Sequence, residues 1–285
     1  MNEPLPDTLY HYTDIHALQG IWEKGAIWGT ESFYLNDTTE MIAGLDAAGF
    51  ALAEKTTVVA AAPKSSDAGK AIQHQLDLQR LRATAELVAE LRNSTSYVVS
   101  LSENGDQLSQ WRAYARAGYC IGFSTEGIRQ SLKSWQHLAR VRYLDSENAE
   151  LLAMRFLSAV NDDMDRLASE NPYEEAVREY QLSNRLIRES ACTKDESFRE
   201  EREVRIVDTS PLPTLHTAGK YGMTPRISIP LNPGAVTSIT VGPGPHTEQR
   251  LRSIQQYVAR VQFGPDELDA PRPQVNESNI PYRDW

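Results

Sequence analysis

The segment Phe198–Asp208, FREEREVRIVD, places two carboxylates and a guanidinium at every second position: Glu201, Glu203 and Arg205. On a β-strand such residues share one face, with Val204 and Ile206 on the other. Two adjacent carboxylates raise each other's proton affinity, and a cation at the next same-face position restrains that effect. Buried, the cluster would be costly, so the face is either a solvated surface with an ion pair or a functional site. A second candidate is His11 within Leu9–Thr13, LYHYT, which is either a packed residue with satisfied ring nitrogens or a ligand-holding group. A third is Tyr34, followed by Asn36 and Asp37. It could stack a planar ring, or serve as a core tyrosine ahead of a turn. A fourth is Arg112, between Trp111 and Tyr114, which lie three residues apart and share a helix face. That helix reads as a core stripe with one exposed arginine, or as a fork offered to phosphate.

Other site chemistries lack their residues. No Walker-type glycine loop and no dinucleotide glycine fingerprint is present. Gly242–Pro245, GPGP, precedes a helix, but its prolines remove the N–H groups a phosphate cradle needs. No His-x-x-x-His helix suggests zinc, and no Gly-x-Ser-x-Gly elbow suggests a serine hydrolase.

The elements that must position the candidates follow from periodicity and punctuation. Leu9–Thr13 reads as a first strand. Asp14 caps a helix carrying Ile15, Leu18, Ile21 and Trp22, and Gly25 stops it. Ala26–Thr30 and Phe33–Asp37 read as strands. Residues 39–92 form a helical hairpin around the loop-like Pro63–Gly69. Then come a strand at Tyr97–Ser102, a helix at Asp106–Arg116, a strand at Tyr119–Ser124 and a strand at Arg140–Leu144. Two long helices, Ser146–Ser169 and Tyr173–Glu189, flank the breaker Asn171-Pro172 and make a second helical insertion at about 146–190. After the charged strand come strands at Arg226–Pro230 and Val236–Val241, a helix from Thr247 to about Phe263, and a Pro-rich tail ending NIPYRDW. No repeat and no marked linker divides residues 1–285, so a single domain of α+β class is expected.

The whole chain of 285 residues is 40% hydrophobic and 24% charged, ordinary for a globular protein with a sizeable core. Its formal charge of −10 argues against a long sequence-independent grip on nucleic acid. Met1–Asp7 is acidic and Pro-containing, unlike a signal peptide, and no apolar run approaches the roughly 18 residues needed to span a bilayer. With two cysteines, Cys120 and Cys192, the expectation is a cytoplasmic protein with reduced thiols, no membrane association and no all-cysteine zinc site.

The order of LYHYT, FYLND, VVSLSENGDQLSQWRAYA, GYCIGF, FREEREVRIV and SNIPYR resembles a bacterial family known only as domain of unknown function 2971. A looser likeness is to the His–Tyr–Glu type of ADP-ribosyltransferase, and this implies a mixed sheet core with long helical insertions. It also implies NAD as substrate, held by His11, Thr13 and Tyr34, with Arg112 and Arg205 as further binding candidates. Glu203 would anchor the reacting ribose and Glu201 would address the acceptor, a protein or nucleic acid, with no metal. Such bacterial families further imply a toxin or anti-phage effector, with an antitoxin or regulatory protein as partner. Two other readings stand beside this one. The first is a non-catalytic nucleotide- or protein-binding sensor of the same fold. The second is a metal-dependent nuclease using Glu201, Glu203 and Asp residues, without the nearby lysine or His that usually completes such a site.

Overall fold

Alternation of Leu9, His11 and Thr13 with Tyr10 and Tyr12 forms the first strand, β1 (Thr8–Thr13). In the computed structural model residues 4–281 are described, except 36–39, 64–65, 117, 145, 165–171, 211, 220–221 and 266–270. Asp14 caps α1 (Ile15–Lys24) by accepting from the Ala17 N–H, and Gly25 ends it at φ 57°, a left-handed conformation that suits glycine. Leu18, Ile21 and Trp22 are its buried face. Next come β2 (Ala26–Glu31) and, instead of the expected strand at Phe33–Asp37, a 3₁₀ turn over Ser32–Tyr34. Asn36 and Asp37 lie outside the described residues.

The chain continues through α2 (Glu40–Ala61), α3 (Ala68–Glu90), β3 (Tyr97–Ser102), α4 (Leu108–Tyr114), β4 (Tyr119–Ser124) and α5 (Thr125–Ser131). Two strands, β5 (Gln136–Arg140) and β6 (Arg142–Leu144), stand where one was expected. After α6 (Ser146–Met164), α7 (Pro172–Ala191) and β7 (Thr193–Asp195), a further 3₁₀ turn covers Glu196–Glu201. The Asp195 carboxylate starts this turn by accepting from both the N–H and the hydroxyl of Ser197. Arg202, at φ 44°, then redirects the chain into β8 (Glu203–Asp208). The charged strand is therefore shorter than the expected Phe198–Asp208, and Glu201 precedes it. The remainder is β9 (Leu215–Gly219), β10 (Gly222–Pro230), β11 (Val236–Val241), α8 (Thr247–Arg260) and β12 (Gln274–Glu277). The architecture is mixed α and β, consistent with the α+β expectation.

Among the described residues the main sheet has ten strands, running β12-β11-β4-β1-β3-β2-β10-β9, with β8 and then β5 attached at β3. All its pairings are antiparallel except β11–β12. The sheet forks at β3. Along one edge β3 pairs with β8 over its full length, Tyr97↔Asp208 to Ser102↔Glu203. Its other edge is shared: Tyr97 and Val98 pair with β2, and Ser102 pairs with Tyr10 of β1. Between those contacts β1 and β2 part.

One face of the sheet buries Leu9, Leu101, Ile121, Phe123, Val204 and Ile206 in a core that includes residues of α1, α5 and α8. A second core belongs to the helices: Leu45 and Leu52 of α2, Leu81 and Val88 of α3, Leu152 and Phe156 of α6, and Leu186 of α7. The two helical insertions thus pack on each other. No helix among the described residues is long and apolar enough to cross a membrane.

Candidate functional site

A cavity of about 110 Å³ lies in the crotch of the fork. Because the strands part there, it is lined from both faces of the sheet. Leu101 and His11 come from the side of the main core, and Tyr10, Tyr12, Ser100, Ser102 and Glu203 from the other. Gln110 and Tyr114 of α4, Lys194 of β7 and Glu201 complete it, along with Leu35.

Four charges meet at its floor. Glu203 is only 5% exposed, and Arg205 grips it through two bonds, Nε to Oε1 at 2.8 Å and Nη2 to Oε2 at 3.0 Å. Arg205, 1% exposed, also donates to the Ala191 carbonyl at 2.6 Å. The Lys194 ammonium, 3% exposed, bridges Glu201 Oε2 at 2.7 Å and Glu203 Oε2 at 3.2 Å. The Tyr114 hydroxyl donates to Glu201 Oε1 at 3.0 Å, and the Glu203 N–H donates to the Tyr143 hydroxyl at 2.9 Å. Burial pushes the Glu203 carboxyl upward, but the Arg205 charge and hydrogen bonds, with Lys194 and Ser100 behind them, hold it down at about 2. The same carboxylates act oppositely on tyrosine. Burial first, then Glu201, push the Tyr114 hydroxyl well above its usual range, and burial carries Tyr143 up to about 12. Both phenols therefore stay protonated near neutral pH.

His11 closes the other side. Its Nδ1 lies 2.9 Å from the Ser100 carbonyl, on the stretch of β3 edge that neither β1 nor β2 pairs. Since a carbonyl only accepts, Nδ1 carries the proton in that bond and a neutral ring leaves Nε2 as an acceptor. Burial lowers the His11 pKa, which keeps the ring neutral. His11 and Glu203 stand on strands flanking β3, on the order of 10 Å apart by strand spacing.

The other candidates fall elsewhere. Thr13 is buried in β1 opposite Tyr119. Tyr34 is half exposed, its ring edge-on to Phe33 at 5.5 Å, and its neighbour Leu35 reaches the cavity in its place. Arg112 lies on the exposed side of α4, while Trp111 packs edge-on against Tyr12 at 4.8 Å. Arg205 stands behind Glu203 and does not line the cavity itself. The solvated-face reading of Glu203 and Arg205 is overturned, since all six residues of β8 are buried.

Sequence reasoning missed Lys194, Ser100 and Tyr143. Lys194 sits in ACTKDESF, seven residues before Glu201, and the signal that could have found it is a lone lysine a few residues ahead of the acidic run.

The fold and site together define a mixed α/β protein with a charged cavity at a split in its sheet. Residues 110–206 match the family model described as protein of unknown function (DUF2971), which bears out the resemblance to that family. The matched stretch contains Lys194, Glu201, Glu203 and Arg205, whereas His11 and the C-terminal segment lie outside it. No match was found among curated proteins or among solved structures.

Proposed function

We propose that the chain is an ADP-ribosyltransferase-like enzyme that uses NAD in the forked cavity. The observation that carries this reading is the convergence of His11 and the Glu201–Glu203 pair on one cavity, from opposite sides of β3. In the proposed reaction the bond between nicotinamide nitrogen and ribose C1′ breaks, and its electron pair leaves with the nicotinamide. A lone pair of the acceptor forms the new bond to C1′, and the acceptor's proton passes to Glu201. Negative charge from Glu203 stabilises the oxocarbenium-like centre, and His11 Nε2 accepts from a ribose hydroxyl. At about 110 Å³ the cavity takes a single planar ring, so the rest of the dinucleotide would extend through its mouth. A role as toxin or anti-phage effector, with an antitoxin or regulatory partner, belongs to the same proposal.

A second reading, the non-catalytic sensor module, draws on the engagement of both Glu203 oxygens by Arg205 and Lys194. The nuclease reading gains in Lys194 the lysine it lacked. Yet among the described residues no three His, Cys, Asp or Glu side chains converge as a metal would require.

The test is incubation with labelled NAD and a cell lysate, comparing wild type with Glu201→Gln and Glu203→Gln, with thermal melting as the control for folding. Nicotinamide release or label transfer by wild type, lost in Glu201→Gln at an unchanged melting temperature, is the expected result. No turnover and no NAD-induced rise in melting temperature in wild type would sink the enzyme reading in favour of the sensor module.

A further inference from the structure

The registers of four strand pairs align Glu203, Ser102, Tyr10, Gly122 and Ser238 in one row across β8, β3, β1, β4 and β11. The row spans four strand spacings, roughly 19 Å. Glu203 and the cavity lie at one end. At the other, beyond Tyr10, the same face opens into a groove of about 570 Å³ that shares Tyr10 with the cavity. Gly122 keeps the floor low, since a Cβ there would sit 2.2 Å from the Ser238 hydroxyl and 3.3 Å from the Tyr10 ring. Gly105 keeps the wall close, since a Cβ there would fall 2.4 Å from the same ring.

The groove is lined by Ser238 and Thr240 of β11 and Asn276 and Glu277 of β12, and walled by two segments that the proposed reaction does not use, the Asn104–Asp106 loop and the SNIP stretch Ser278–Pro281, whose Asn279 reaches it. Asp106 ties them together: its Oδ1 accepts from the Trp111 indole at 2.8 Å and the Ser278 hydroxyl at 2.5 Å, and its Oδ2 from the Asn279 N–H at 2.8 Å. That carboxylate is therefore committed to the wall. What remains is Gly105 and a polar lining of Asn104, Ser238, Thr240, Asn276 and Asn279 with one carboxylate, Glu277, beside the Tyr10 ring, and no Lys, Arg or His is among the described lining residues. Amide and hydroxyl side chains both donate and accept, matching groups that do the same. A phosphate would find no cation here, and a cationic group would find only Glu277 as a carboxylate that Asp106's bonds leave aside.

We propose that this groove is a second ligand site, specific for an uncharged polyhydroxyl ring, a pentose or hexose. Its volume lies in the range of ordinary small-molecule sites, roughly 300–1,000 Å³. The inference does not rest on NAD chemistry in the cavity, although the shared Tyr10 makes the two sites neighbours.

The test is titration of ¹⁵N-labelled protein with methyl riboside, methyl glucoside, ribose 5-phosphate and methylguanidinium, following backbone amides. A neutral glycoside is expected to shift Ser238, Thr240 and Asn276 and to bind more tightly than either charged probe. Thr240→Val and Asn276→Ala, both on the sheet surface, are expected to weaken it by roughly 3- to 10-fold each, about the loss of one hydrogen bond. The proposal is overturned if neither glycoside shifts these amides, if a charged probe binds more tightly, or if both variants bind like wild type. None of these readouts involves NAD, so they leave the enzyme reading to its own assay.

Discussion

Glu203 has given both its oxygens to Arg205, and Lys194 donates to one of them and also to Glu201. In so buried a place the loss of one partner matters more than the worth of the pair, because it strands a charge. Arg205→Met is accordingly expected to lower unfolding stability by about 3–5 kcal/mol. The double variant Glu203→Met/Arg205→Met should lose less than the single one, as urea titration would reveal. The folded Glu203 carboxyl sits at about 2 against 4.5 for the ordinary group. Its contribution is thus fully present above pH 4.5 and is lost as pH falls through about 2. Urea midpoints followed across that window should fall more steeply for wild type than for Glu203→Gln. Glu203 and Arg205 were legible as a same-face pair because alternation is local. Lys194 was not, because the turn at Glu196–Glu201 that folds Glu201 back toward it depends on Asp195 capping and on a left-handed Arg202. For Trp111 and Tyr114 the shared face could be read from spacing, but not which ring would be buried.

At the scale of elements, α2 lies close against the end of α7 and the start of β7, the strand that carries Lys194. A Cβ on Gly44 would fall 2.1 Å from the Thr193 hydroxyl and 2.7 Å from that of Ser190. Gly44→Ala is therefore expected to cost about 1–3 kcal/mol through overpacking, despite the better helix propensity of alanine. Gly20 in α1 has nothing within 4 Å of its would-be Cβ. Gly20→Ala should gain about 0.5–1 kcal/mol. Opposite shifts of the two melting curves would check both. Elements with their own punctuation were readable: α1 between Asp14 and Gly25, and β3 and β4 by their apolar runs. The strand expected at Phe33–Asp37 failed because three aromatic or apolar residues before a turn suit a 3₁₀ turn equally well. β12 was unreadable, since its four residues form a strand only by lying parallel to β11.

For the molecule as a whole, the α+β class was legible from the succession of elements. The fork was not, because it depends on which distant strands meet along the edges of β3. Nor did the sequence indicate that residues 40–90 and 146–191 would build one shared helical core. The C-terminal segment is likewise tied in from afar, through β12 and through Ser278 and Asn279 on Asp106. Truncation before Gln274 is expected to speed exchange of the Trp111 indole proton, which is bonded to Asp106, and to lower the melting temperature. Unchanged exchange would mean that the segment does not hold the loop. The sheet's division has a mechanical consequence. The β1 and β2 sides are like two leaves bound to a single spine, β3, with the His11–Ser100 bond as a stitch near the fold. A ligand held there as proposed would join the two leaves across the split, as glue does across a fold.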